Sequence, residues 1–353
     1  MGLLKIHGDI RLEQFWPRGK SESDASKIKI TLGDNAFEYK ADGQDNYTPT
    51  LVFNEAYVPY QRKKQKIIKR GNQLLVRLEG VDAPELHYTL YGPTPTKHPT
   101  RRGNLDVFDY ESLIQESNSI EYRQPMAETA VYQLLTFLSK AAKSGQVPCT
   151  FICNANTPAD ACDKYGRLVG SMYIVVNKKE IHLNQWLLQN SLAFPALYNS
   201  MSIEMIKDFA TITKPLLHGN TGVYKHYKTY IGVFDDELRY RPEIKAQEVK
   251  QILLQDKGHL IYPKLYRRWC IYNIYRLARV QLGTFSDYLT VVDDKIYFTE
   301  EYLANKGDVK KLNQNSLAAL VQHNRFTQEL NSIVFTKSPI SLKSKNGKNI
   351  NEW

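Results

Sequence analysis

Polar and apolar residues alternate strictly along Ser26-Lys-Ile-Lys-Ile-Thr-Leu32, and they do so again where Leu74, Val76 and Leu78 interleave with Gln73, Leu75, Arg77 and Glu79. A two-residue period places alternate side chains on opposite faces, so both stretches are predicted as strands with one buried face. Ile6–Phe15, Pro148–Cys153 and Leu168–Val176 complete a set of five strands. The period changes at Met126–Ala142, where Ala127, Ala130, Val131, Leu134, Leu135 and Leu138 recur at helical spacing behind Pro125. Leu183–Asn190 and Ile203–Leu217 read as two further helices, and Asp163-Lys-Tyr-Gly-Arg167 as the turn entering the Leu168 strand. Beyond residue 242 the texture is mostly helical, with helices expected at Glu243–Gln255, Pro263–Gln281 and Gln314–Leu330 and a hairpin at Leu289–Phe298.

This pattern predicts an α+β protein in two parts. The first, residues 1–234, is a small five-stranded β-barrel with helical cover, carrying insertions at 33–72 and 86–120. The second, residues 242–353, is a mainly helical accessory domain. A chain of 353 residues, 42% of them hydrophobic, is long enough for two such cores.

Charge adds a hint of partner. Lys plus Arg outnumber Asp plus Glu by 47 to 37, a formal charge of +10 that suits an acidic polymer such as nucleic acid. The densest positive run is Gln61–Arg70, whose plainer reading is a solvated hairpin. Four cysteines are too few for a disulfide framework and lack the spacing of a structural zinc site, so they read as reduced thiols. No stretch approaches the roughly 20 apolar residues of a membrane span, and no secretory signal is evident, so a cytoplasmic location and no membrane partner are expected.

The chemistry concentrates in Val76-Arg-Leu-Glu-Gly-Val-Asp-Ala-Pro-Glu85, which holds Arg77, Asp82 and Glu85 within nine residues. Hydrolysing a phosphodiester needs a carboxylate to activate water, fixed cations on the phosphoryl oxygens and, in many enzymes, a divalent ion held by further carboxylates. Arg77, Glu85, Asp82 and Arg167 make up that inventory. Each also has an ordinary role open to it: Arg77 pairing with Glu79, Asp82 capping a turn, Glu85 as a surface acid and Arg167 as a turn residue.

The Val76–Glu85 run and Asp163-Lys-Tyr-Gly-Arg167 together resemble the two signatures of the staphylococcal-nuclease family, in the same order and separated by a helix. The resemblance covers residues from about 5 to 230. It implies an OB-fold barrel and metal-assisted hydrolysis of DNA or RNA with calcium. By motif position it makes Arg77 and Arg167 the phosphate-binding arginines and Glu85 the group that activates water. It makes Asp82 a metal ligand, and Lys164, Tyr165 and Tyr198 neighbours of the substrate.

One departure bears on the metal. The family's Asp-Gly-Asp-Thr motif stands here as Asp24-Ala-Ser-Lys27, so Ser26 occupies a position where an acid is expected, with Asp24 the alternative ligand. A hard cation binds anionic oxygens best, and the exchange weakens the site. It leaves open a second reading, a nucleic-acid-binding module or scaffold on the same barrel without catalysis. A third makes the segment beyond 242 a platform for a protein partner. The long helix from Tyr262 interleaves Arg267, Arg268, Arg276 and Arg279 with aromatics, but its plainer reading is a packed face of Leu265, Trp269, Tyr272 and Arg276.

Overall fold

The strand beginning near Ser26 continues twice as far as its alternation predicts, into the stretch expected to be an insertion. The computed structural model describes residues 1–18, 24–60, 63–89, 121–232, 258–277 and 282–353. Its principal elements up to residue 232 are β1 (Leu3–Arg11), β2 (Lys27–Lys40), β3 (Gln73–Leu78), β4 (Gly80–Asp82), α1 (Ala127–Ser139), β5 (Gln146–Asn154), β6 (Leu168–Val176), β7 (Lys179–His182), α2 (Leu183–Gln189), β8 (Phe194–Tyr198) and α3 (Ile203–Thr213). From residue 258 onward come α4 (Pro263–Leu277), α5 (Phe285–Val292), β9 (Lys295–Phe298), α6 (Thr299–Ala304) and β10 (Ile333–Phe335).

β1 pairs antiparallel with β2 and with β5, β2 with β3, β5 with β6, and β6 with β7. β6 also runs parallel to β3, with Val169 opposite Arg77. This pairing sets the strand that carries Arg77 beside the strand that follows Arg167. The inward positions predicted by alternation are buried, among them Ile28 and Ile30 of β2 and Leu74, Val76 and Leu78 of β3. α1 buries its predicted stripe against this sheet, from Ala127 to Leu138. The four cysteines are free and buried, and burial pushes the Cys149 thiol up to about 12.

A second sheet joins the two halves of the sequence. β4 pairs with β8, β8 runs parallel to β10, β10 pairs with β9, and β9 with Asn315–Ser316. Residues beyond 258 therefore complete a sheet that residues 80–82 and 194–198 begin, and the expected mainly helical segment is mixed α and β. Gln314–Leu330 is not a helix but a 3-10 turn, Leu317–Leu320, and a hairpin pairing Val321–Gln322 with Arg325–Phe326. His323 and Asn324 take left-handed φ values of 49° and 59°, which build the hairpin turn and stop a helix. The expected hairpin at Leu289–Phe298 is half helix. A Thr284–Asp287 capping box starts α5, and Asp293, at φ 56°, ends it before β9.

Within the expected insertion 33–72, the first residues are the second half of β2, and a 3-10 turn follows at Val52–Glu55. Tyr57–Tyr60 and Lys63–Lys66 then form a hairpin from the basic run. Of the expected insertion 86–120, Tyr88–Thr89 pairs with Glu121–Tyr122. The rest of the expected insertion, residues 90–120, the expected boundary between 234 and 242, the helix Glu243–Gln255 and the end of the Pro263 helix beyond Leu277 lie outside the described residues. Among the described residues no helix is long and apolar enough to cross a membrane.

Candidate functional site

β3 points Val76 and Leu78 into the core, leaving Arg77 at the rim. Gly80 then turns the chain at φ +73°, where a Cβ would lie 2.5 Å from the buried ring of Phe209. The turn sends β4 into the second sheet, so Asp82 and Glu85, only 1% and 4% exposed, are buried acids rather than surface ones. Gln124 fixes the end of this run: its N–H donates to the Glu85 carbonyl at 2.7 Å, and its Oε1 accepts from the Glu85 N–H at 3.1 Å. The same amide donates to the Ile261 carbonyl at 2.9 Å, tying the Glu85 turn to the segment that opens α4.

Each of these buried acids is met by a cation. Arg77 Nη2 lies 2.8 Å from Asp82 Oδ1, so Arg77 pairs with Asp82 and not with Glu79. Arg267 of α4 reaches the same carboxylate with both arms, Nη2 at 2.8 Å from Oδ2 and Nη1 at 3.2 Å from Oδ1. Its Nη1 also donates to Glu85 Oε1. Burial alone would raise the Asp82 pKa, but Arg267 and then Arg77 reverse this and bring it to about 2.

Asp24 lies behind this group, and its surroundings are supplied by its own turn. Its Oδ1 accepts from the Ser26 N–H at 2.8 Å, the Ser26 hydroxyl at 3.0 Å and the Lys27 N–H at 2.7 Å. Its Oδ2 faces Lys27 Nζ at 2.7 Å, and that ammonium stands 3.7 Å from Glu85 Oε2. Burial acts to raise the Asp24 carboxyl. Lys27 and the Ser26 donors outweigh it and hold the carboxyl below its ordinary range, while Asp24 and Glu85 together raise Lys27 against its own burial.

Arg167 closes a second turn. Asp163 Oδ1 accepts the Tyr165 and Arg167 N–H groups at 2.9 and 3.0 Å, and its Oδ2 accepts Arg167 Nε at 2.7 Å. Gly166, at φ +77°, sits against Gln65 of the basic hairpin, so this turn and that hairpin are neighbours. Lys164 and Tyr165 are exposed beside them, and the Tyr165 ring lies 4.9 Å from the Arg167 guanidinium. Tyr198 stands at the end of β8 with Lys264 of α4 5.5 Å from its ring.

The fold thus gathers Asp24, Ser26, Arg77, Asp82 and Glu85 at one place, with Arg167 near enough for its charge to oppose, without reversing, the rise of the Lys27 pKa. Sequence reasoning passes over Lys27 and Arg267. A signal for Lys27 exists, since it is a cation inside an expected metal motif. Arg267 is one of several arginines on an aromatic helix, and nothing local distinguishes it.

These residues do not fit the divalent ion that the resemblance implies. Ser26 spends its hydroxyl on Asp24, and the three carboxylates already face the three cations Lys27, Arg77 and Arg267. A doubly charged ion about 4 Å from Arg267 would meet a repulsion on the order of 8 kcal/mol at an effective dielectric of about 20. Among the described residues no group of three His, Cys, Asp or Glu side chains is arranged to hold a metal. In comparisons with known families and with curated proteins, no family profile and no curated protein matches the sequence.

Proposed function

We propose that this chain is a staphylococcal-nuclease-like module that binds the phosphodiester backbone of DNA or RNA without metal-assisted hydrolysis. In this reading β1, β2, β3, β6 and β5 form the five-stranded OB-type barrel, which the parallel pairing of β3 with β6 supports. The binding face is the Asp163–Arg167 turn with the adjoining hairpin, where Lys64, Lys66 and Lys164 are exposed and Tyr165 offers a ring for base stacking.

One observation carries the choice of binding over cleavage: the Arg267 guanidinium is held by Asp82 and Glu85 together. A general base must have a free oxygen within hydrogen-bonding reach of its water. Here one Glu85 oxygen accepts from Arg267 and the other faces Lys27. The competing reading, a hydrolase, draws on the convergence of Arg77, Glu85 and Arg167, and it requires Arg267 to withdraw.

A labelled single-stranded oligonucleotide, DNA and RNA in turn, separates the two. Binding should weaken steeply with salt, because each neutralised phosphate releases counterions. No cleavage should occur in calcium, magnesium, manganese or chelator. Metal-dependent cleavage abolished by Glu85→Gln would establish the hydrolase instead, and failure to bind at low salt would overturn both readings.

A further inference from the structure

We infer that Arg267 is the resident cation of this site: a guanidinium built into the chain holds the position where a free divalent ion would otherwise sit between Asp82 and Glu85. The inference concerns the same cluster as the proposed function but does not depend on nucleic-acid binding.

Three observations lead to it. The first is charge. Asp82 and Glu85 are buried carboxylates less than one turn apart in sequence, and such a pair must be neutralised by something. Of these two acids Arg77 reaches Asp82, and Lys27 is shared with Asp24. Among the described residues, Arg267 is the cation that touches Asp82 and Glu85 at once. The second is geometry. A planar fork can place two donors on one carboxylate and still reach another, which the single nitrogen of a lysine cannot do.

The third is anchorage, which distinguishes a resident group from a surface arginine that has folded inward. The helix segment around Arg267 is fastened to several separate parts of the chain, among them the residues that follow Glu85 and the strand that pairs with Asp82. The Tyr88 hydroxyl donates to the Arg267 carbonyl at 3.3 Å, and the Tyr266 hydroxyl donates to the Arg123 carbonyl at 3.2 Å. The Tyr262 hydroxyl donates to the carbonyl of Pro195, which stands opposite Val81 in the second sheet. Lys264 and Arg268, which flank Arg267 on the helix, both pair with Asp294, at 3.3 and 2.8 Å. With its neighbours fixed in this way, the Arg267 guanidinium is held at Asp82 and Glu85 although its side chain is 23% exposed.

The inference makes Arg267, rather than the loss of an acid at Ser26, the element that keeps a hard cation out. The test is a calorimetric titration of the chelator-stripped, full-length protein with Ca2+. The wild type should give no saturable binding up to millimolar ion. Arg267→Ala should take up one Ca2+ per chain and show a thermal midpoint that rises with Ca2+, and adding Asp82→Asn to it should abolish both effects. Arg267→Lys, which keeps a charge, should bind at least tenfold more weakly than Arg267→Ala.

Equal Ca2+ affinity in wild type and Arg267→Ala would overturn the inference, as would a folded Arg267→Ala that takes up none. If Arg267→Ala is unfolded in chelator, Arg267→Gln, of similar length and neutral, is titrated in its place. Recovery of its folded near-ultraviolet spectrum by Ca2+, but not by NaCl of equal ionic strength, supports the inference, and no recovery counts against it. The oligonucleotide assay reads a different property, so failure to bind there would sink the binding reading without altering what the Ca2+ titration decides.

Discussion

Asp82 and Arg267 lie 185 residues apart in sequence and meet through both arms of the guanidinium, at 2.8 and 3.2 Å. Arg77 approaches the same carboxylate from its own strand at 2.8 Å, which makes Asp82 the shared anion of two arginines from different parts of the chain. Leaving a buried charge without its partner costs about 3–5 kcal/mol. Asp82→Asn strands two cations, whereas removing either arginine leaves Asp82 the other. Urea unfolding should therefore rank Asp82→Asn as the most damaging of the three, with a loss of about 3–5 kcal/mol. Arg267→Ala should follow, and Arg77→Ala should cost least. A smaller loss for Asp82→Asn than for Arg77→Ala would contradict the shared-anion arrangement.

The same carboxylate makes the fold sensitive to acid. Its pKa of about 2 lies below that of an unfolded Asp, so the unfolded state binds the proton first as pH falls. The stability it contributes is present in full above about pH 4 and is lost as pH falls toward 2, by about 2.5 kcal/mol. Asp24, held low by Lys27, acts in the same direction. Thermal midpoints of the wild type should drop steeply over that interval. Those of Asp82→Asn, lower at neutral pH, should drop less steeply, and parallel profiles would rule out a role for Asp82 in acid unfolding.

Glu79 responds in the opposite sense. Its N–H donates to the Gly170 carbonyl at 2.7 Å and its own carbonyl accepts from Asn184 at 2.8 Å, so its backbone is fixed while its side chain is 6% exposed. Burial, only partly offset by Lys337, raises its pKa to about 7. The folded state therefore keeps the proton longer than the unfolded state, and stability falls as pH rises from about 4.3 to about 7, then levels off. Glu79→Gln removes the charge but keeps the shape. It should stabilise by only about 1 kcal/mol at pH 5 and by about 3–4 kcal/mol at pH 8, at about 1.4 kcal/mol per pH unit between the two pKa values. An equal effect of Glu79→Gln at the two pH values would show that Glu79 carries no such penalty.

How much of this can be read from the sequence depends on distance along the chain. β2, β3, β6 and α1 are legible because one buried face imposes a period on successive residues, and Arg77, Asp82 and Glu85 because they share one strand and turn. β9, Lys295–Phe298, is legible only as the second half of the expected hairpin at Leu289–Phe298, and β10 is not legible, since Ile333–Phe335 is too short for a period to register. Lys27 is visible but reads as part of a metal motif, although a lysine three residues after Asp24 can neutralise it directly. Arg267 is illegible for a different reason. Which arginine of α4 faces the acids depends on how Tyr262, Leu265 and Trp269 seat the helix, and that is set by partners far away in sequence.

The basic hairpin supplies the most direct test of the binding face. Lys64 and Lys66 are exposed, and Gln65 between them rests on Gly166 of the turn that carries Lys164, Tyr165 and Arg167. Neither lysine is part of the core or of the buried ion-pair cluster, so replacing both with glutamate should shift the urea midpoint very little. If the hairpin and turn form one phosphate-binding surface, the double variant Lys64→Glu, Lys66→Glu should bind a single-stranded oligonucleotide at least tenfold more weakly at low salt. The slope of log affinity against log salt should also flatten, by about 0.7 for each phosphate of a single strand that the variant no longer neutralises. Tyr165→Ala should behave differently: it removes a stacking ring worth about 1–3 kcal/mol per base and should lower affinity without changing the slope. An unchanged slope in the lysine variant would place the phosphate contacts elsewhere on the molecule. Unchanged affinity in both variants would remove this face from the binding surface altogether.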